Sequence, residues 1–356
     1  MAGAESMAIE LIPANRLPLE LQKDWRRLQL AEPRLAGPCF HPLLYQSIAE
    51  HVPGVMVAVR ITASGRHAFW PHLQTDGGRT ARPVPACDYQ SAIAATDEQW
   101  DVCGSLRRMN LKRWHFDNLL AFAGAQPPRF SMAGRSPRVL LDGGIDAYIA
   151  ARKKAGRSGR NLRTHRRLMQ RNHGPVRFVA QADGALVLPA LLRWKADRFH
   201  GFADWARGTI ERIHSRRDPE FGSVLSALYA GDTLVAAHFG LRCDGILHYW
   251  FPGFNPEFSR YSASLLLIED LVAELPRLQC RILDLGPGNE PYKEYFANAS
   301  IEIWSGQYDL SFLWSYAMQM KRSLKNFVLA HPLLHRTARP LAQLLRKSAG
   351  AQSRPK

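Results

Sequence analysis

The chain has 356 residues, 46% of them hydrophobic and 10% aromatic, with 47 Lys and Arg against 31 Asp and Glu, a formal charge of +16. That apolar content excludes a disordered chain, and five scattered cysteines without a C-x-x-C pair exclude a small disulfide-stapled domain. The charge is local: residues 147–182 hold ten Lys and Arg and no acid, residues 310–356 hold nine and none, and the rest is nearly neutral. A protein built throughout to bind polyanions would not be patterned this way.

Pro18 to Ala31 reads as a first helix, with Leu21, Trp25 and Leu28 on one face. Val55–Ile61, Ser64-Gly65 and His67–Trp70 read as strand, turn and strand. Glu98 to Leu111 reads as a helix, and Arg113 to Leu119 contains a short strand. The second half begins with a helix over Gly144–Lys154. A basic helix over Leu162–Asn172, a strand over Val176–Ala180 and an amphipathic helix over Leu186–Phe199 follow. Val224–Tyr229, Gly231-Asp232 and Thr233–Leu241 form a hairpin, and Ile246 to Phe251 is a strand. Ser262 to Leu275 is an apolar helix, Arg281 to Leu285 a strand, Asn289 to Phe296 a short helix and Ile301 to Ser305 a strand.

The two hairpins, VMVAVRITASGRHAFWP and VLSALYAGDTLVAAHFG, share a layout. Each is followed by a helix and a short strand ending in aspartate, Asp117 and Asp284. This predicts two related α/β (α+β) halves with mixed sheets rather than one doubly wound sheet. The expected domains are 1–140, 141–310 and a basic tail, 311–356. The tail should form a helix with Phe312, Leu313, Tyr316, Met320, Leu324 and Phe327 on one face. Its outer face could touch anionic lipid. Met1 to Glu10 lacks the basic and apolar regions of a signal peptide, and no run of 18 apolar residues occurs. A cytoplasmic protein is expected, with free and mostly buried thiols.

The strand HYWFPGF carries Pro252 and Gly253. Proline cannot donate to a ladder and glycine permits an unusual turn, so the pair should splay the sheet and free backbone groups. An extended ligand with amides, such as the pantetheine arm of coenzyme A, could pair there, along Tyr249, Trp250 and Phe251. The next helix starts near Ser262, Ser264 and Leu265, where its N–H groups favour phosphate, with Arg260 as charge partner. Asp284-Leu285-Gly286-Pro287-Gly288 suggests the glycine turn of a methyltransferase. Glu290 stands where a third glycine belongs, however, and too little chain follows for that sheet. Walker A, G-x-S-x-G and H-E-x-x-H are absent, and no cluster has zinc spacing.

Four segments together resemble the CelD-like branch of the GNAT acyltransferase superfamily, the cellulose-biosynthesis acetyltransferases, with FemAB-like double-domain relatives. They are GRNLRTHRRL (159–168), RWKADRF (193–199), YWFPGFNPEFSRYSASLLL (249–267) and LDLGPGNEPYKEYF (283–296). They match in order and spacing over about residues 140–310. FHP (40–42) and WHFDNL (114–119) resemble the first domain less specifically. Where that branch carries Pro-Gly before its helix, this chain has Ala263-Ser264.

The resemblance implies two GNAT-like domains in tandem, an acyl-CoA co-substrate, no metal, and N-acyl transfer to an amino sugar, a polysaccharide precursor or a similar small acceptor. Acyl transfer needs a base, a proton donor and groups to hold developing charge. Asp284 could orient the amine or take its proton, Lys293 could neutralise phosphate or oxyanion, and Tyr292 could protonate the leaving thiolate. His238 or His248, on adjacent expected strands, could serve as general base. Arg160, Arg163 and Arg167 share a helical face suited to phosphate, and Lys195 is central in its helix. Two other readings stand beside this one. A FemAB-like transferase would take aminoacyl-tRNA as donor. A non-catalytic basic protein would bind nucleic acid, but aromatic residues are not interleaved with the basic runs, which argues against it.

Overall fold

The computed structural model describes residues 9–62, 65–98, 100–120, 131–157, 159–198 and 204–310. The expected tail helix, from residue 311 on, lies outside them, as does Ser64 of the first turn.

The first half runs β1 (Ile9–Pro13), α1 (Leu19–Ala31), α2 (Pro42–Ala49), β2 (Val55–Ile61), β3 (His67–Thr75), β4 (Thr80–Arg82), α3 (Val102–Arg108) and β5 (Arg113–Leu119). Then come β6 (Met132–Leu140), α4 (Gly144–Lys154), α5 (Arg160–His173), β7 (Val176–Val179), α6 (Gly184–Arg198) and α7 (Asp204–Ser215). The chain continues through β8 (Phe221–Ala230), β9 (Thr233–Cys243), β10 (Ile246–Phe254), α8 (Ala263–Glu274), β11 (Ile282–Asp284), α9 (Pro291–Phe296) and β12 (Ala299–Asp309).

Local chemistry explains several boundaries. The helix expected from Glu98 starts at Val102, because the Asp101 carboxylate caps it by accepting the Gly104 N–H at 2.9 Å. Trp25 is the anchor of α1: it is fully buried, and its indole N–H donates to the Phe40 carbonyl at 2.8 Å. The β8–β9 turn places Gly231 at φ 56, and a Cβ there would sit 2.6 Å from the His173 carbonyl oxygen. Only glycine meets both conditions.

The twelve strands of the described residues form one sheet, in the order β1-β2-β3-β4-β5-β12-β6-β11-β10-β9-β8-β7. Two neighbouring pairs are parallel, β4 with β5 and β10 with β11, and the other registered pairs are antiparallel. The mixed, largely antiparallel sheet flanked by helices is the architecture expected. β6 precedes the expected boundary at 140/141, yet it lies between β12 and β11, both from later in the chain.

Two apolar clusters cover the two faces. One holds Trp25, Phe40 and Tyr45 together with Leu188, Leu191, Ile210 and Phe239, so it runs under both halves. The other holds Leu162, Met169, Leu267, Leu271 and Phe296 and belongs to the second half. Along β9, Ala237, Phe239, Leu241 and Cys243 all face the first cluster, as the two-residue strand period requires. All five cysteines are free, and four are buried.

Candidate active site

The site begins where two strands part. β10 pairs with β11 only from Ile246 to His248, opposite Ile282 to Asp284. On its other side β10 stays paired with β9 out to Phe254, through a register shift between His248 and Phe251. Beyond Asp284 the backbone groups of β10 that point away from β9 therefore have no strand partner. Gly253 lets this stretch lie close to α6, since a Cβ there would fall 2.7 Å from Leu191 Cδ1.

A cavity of about 630 Å³ occupies the opening. Among the residues singled out from sequence, Tyr249, Ser264, Leu265, Tyr292 and Lys195 line it. The Tyr249 hydroxyl is buried, shielded from the cavity space, and has no hydrogen-bond partner. Burial holds that phenol well above its ordinary range, so it is a donor without an acceptor. The first turn of α8 offers further donors: the N–H groups of Ala263 and Ser264 have no acceptor within their own helix.

A smaller cavity of about 370 Å³ lies on the other side of the α8 start and shares Leu265 as wall. Arg160, Ser262 and His165 line it. Ser262 is left-handed, at φ 53 and ψ 43, and its hydroxyl lies 3.0 Å from His165 Nδ1. Arg163 and Arg167 are exposed on the same helix and line neither cavity.

Other expected residues are placed elsewhere. Trp250 turns away and donates its indole N–H to the Ala86 carbonyl at 2.7 Å. Phe251 packs edge-on against Trp250, with ring centroids 4.5 Å apart. Arg260 folds over the Tyr261 ring at 4.7 Å and bonds its hydroxyl. His238 lies behind the cavity wall, stacked on Tyr249 at 4.4 Å. Burial lowers its pKa to about 3, so the ring is neutral and does not line the cavity.

Asp284 is a sealed anion rather than an accessible base. It is 2% exposed. Its Oδ1 accepts from the Tyr89 hydroxyl and the Gly286 N–H, and its Oδ2 accepts from Arg138 Nε at 3.1 Å, with Arg138 Nη2 ion-paired to it at 2.8 Å. Burial by itself would raise its pKa. His248, Arg138 and Tyr89 outweigh burial and hold the carboxyl well below the usual range. His248 Nδ1 stands 3.6 Å from Asp284, too far for a hydrogen bond but close enough for charge attraction, and its Nε2 meets Asp88 at 2.8 Å. Burial disfavours the imidazolium, but the two carboxylates prevail and raise its pKa to about 10. A protonated ring cannot serve as a base.

Lys293 is also buried. Its Nζ donates to the Gly286 carbonyl at 3.2 Å and the Pro287 carbonyl at 2.6 Å, and it pairs with Glu290 at 3.0 Å. Its charge is thus spent on the loop after β11. Glu290, by contrast, reaches the larger cavity and keeps about half its side chain exposed. The sequence reading passed over it. Its local signal is its place in LDLGPGNEPYKEYF, between Gly288 and Lys293. Trp194 of α6 also lines the cavity and was passed over.

Among the described residues, no group of three or more His, Cys, Asp or Glu side chains is placed to hold a metal. No described helix is long and apolar enough to cross a membrane.

Comparison with known proteins agrees with this geometry. Residues 156–294 match the family model of the acetyltransferase (GNAT) domain. The opened β10/β11 pair and α8 lie within the matched residues. No curated protein matches the chain. Two solved structures are similar across its length. One is the C-terminal domain of a protein assigned as a lysylphosphatidylglycerol synthetase in Agrobacterium fabrum. It has 13% identity and a TM-score of 0.50 and covers 85% of this chain and 96% of that one. The other is FemX, with 10% identity, a TM-score of 0.51, and coverage of 84% and 97%. At these identities the likeness is one of fold.

Proposed function

We propose that the protein is an acyl-CoA-dependent N-acyltransferase acting on a small amine acceptor, with an amino sugar or saccharide precursor as the favoured class. The observation that carries this is the cavity in the parted strands, walled by Tyr249 and by Ser264 and Leu265 at the start of α8. These groups fit the co-substrate. The free backbone groups of β10 suit the amides of a pantetheine arm, and the first N–H groups of α8 suit a diphosphate. Arg160, beside the smaller cavity, suits the outlying phosphate. Acyl-CoA would supply an activated carbonyl carbon and a thiolate leaving group.

The chain's own residues would do the rest. Glu290 takes the proton from the acceptor nitrogen as the N–C bond forms. Tyr292 gives a proton to the sulfur as the C–S bond breaks. Trp194 and Lys195 on α6 face the same cavity and would contact the acceptor.

The test is calorimetry with acetyl-CoA and longer acyl-CoAs, followed by thiol-release assays over a panel of amino sugars and other amines. Glu290→Gln should keep acyl-CoA binding and lose kcat by about 10²- to 10³-fold. Failure of the unmodified protein to bind any acyl-CoA would overturn the reading. Consumption of aminoacyl-tRNA in its place would reassign the donor.

A further inference from the structure

Lys293 and Glu290 stand at the end of a chain of contacts that begins in the first half of the protein. Tyr89, between β4 and α3, is 2% exposed. Its hydroxyl donates to Asp284 and meets the Ser136 hydroxyl of β6. Arg138, also on β6, holds the other oxygen of Asp284 with two nitrogens. Asp284, fixed in this way, accepts the Gly286 N–H at 2.9 Å and so sets the first turn beyond β11. Gly286 and Pro287 then present their carbonyls to Lys293, and Lys293 holds Glu290. Nearly every link includes a charged partner, and such bonds are short and strong. Gly288 sits at φ 135, and a Cβ there would fall 2.3 Å from Glu290 Oε2.

We infer that Tyr89 and Arg138 are positioning residues for acyl transfer: they fix Asp284, and through the Gly286 and Pro287 carbonyls and Lys293 they set where the Glu290 carboxylate stands in the cavity. None of the described residues lining that cavity comes from the first half. The first half thus acts on the chemistry without touching substrate. The inference rests on the reading that Glu290 takes the proton there.

Tyr89→Phe removes one bond and little volume. Its kcat should fall about tenfold, since small misplacements of a reacting group are costly, while acyl-CoA affinity by calorimetry stays unchanged. In a Glu290→Gln background the same change should add no further loss, because the group it positions is already gone. Ser136→Ala should show the same pattern more weakly, and it decides the matter if Tyr89→Phe fails to show a cooperative melt. An equal loss in both backgrounds would mean a merely structural role and would overturn the inference. So would an unchanged kcat in a folded variant. A wild type that binds no acyl-CoA would remove both this inference and the reading beneath it, and that result is seen before any variant is made.

Discussion

The two parallel strand pairs follow one plan and end differently. β4 and β5 are joined through the seven-residue α3, and β10 and β11 through the twelve-residue α8. The first pair is packed with rings: Trp114 meets Trp70 at 4.8 Å and stacks on Tyr308 at 5.5 Å. The second pair opens onto the cavity. The aspartates that looked equivalent in sequence separate in the same way, since Asp117 is exposed and Asp284 is sealed by three donated bonds and the Arg138 ion pair. The topology recurs in both halves. A site arises only where the strands stay parted and buried charge fixes the loop beyond them.

The largest difference should appear in stability. Asp284→Ala leaves Arg138 as an uncompensated buried cation and His248 with Asp88 alone, and should cost about 3–5 kcal/mol. Asp117→Ala should change stability by less than about 0.5 kcal/mol. Chemical denaturation of both variants checks this, and similar losses would erase the contrast between the halves. The pH dependence of stability sharpens it further. His248 titrates near 6.5 in an unfolded chain and at about 10 when folded. Its contribution is therefore complete below pH about 6.5 and is lost as pH rises toward 10. Melting temperatures measured over that range should fall, and His248→Gln should flatten the fall. A wild-type profile flat over that range would mean the imidazolium is not held by Asp88 and Asp284. The smallest effect has the opposite sign. Tyr249→Phe removes a buried hydroxyl without a partner, so the free protein should gain up to about 1 kcal/mol. A variant that loses stability instead would show that the hydroxyl already has a partner.

Much of the second half was legible in the sequence. The hairpin and α8 carry local signals, a two-residue turn and an apolar periodicity; the strands do part in β10, but after His248, where β11 ends, and Pro252 and Gly253 stay paired with β9. β6 was missed because MAGRSPRVL carries Gly134 and Pro137, which argue against a strand inside a sheet. It is tolerated because the Pro137 carbonyl still accepts the Leu285 N–H at 3.1 Å. The short β1 and β4 and the helices α2 and α7 were also missed. The partners of Asp284 had no signal at all. Tyr89 and Arg138 lie 195 and 146 residues away from it, and no local pattern predicts a pairing over that distance. Sequence therefore picked out Asp284 and Lys293 as important but assigned them to substrate. Their neighbours show that both support the loop carrying Glu290.

One feature of the sheet bears on how the protein is made. β12 is the last described strand, and it lies between β5 and β6. On a ribosome, β5 and β6 emerge some 160 residues before the strand that separates them. Until residues 299–309 arrive, both present open edges that could pair with each other or with another chain. Long-range closure of this kind slows folding. The nascent first half must therefore wait, with its edge uncovered, until residues 299–309 are synthesised.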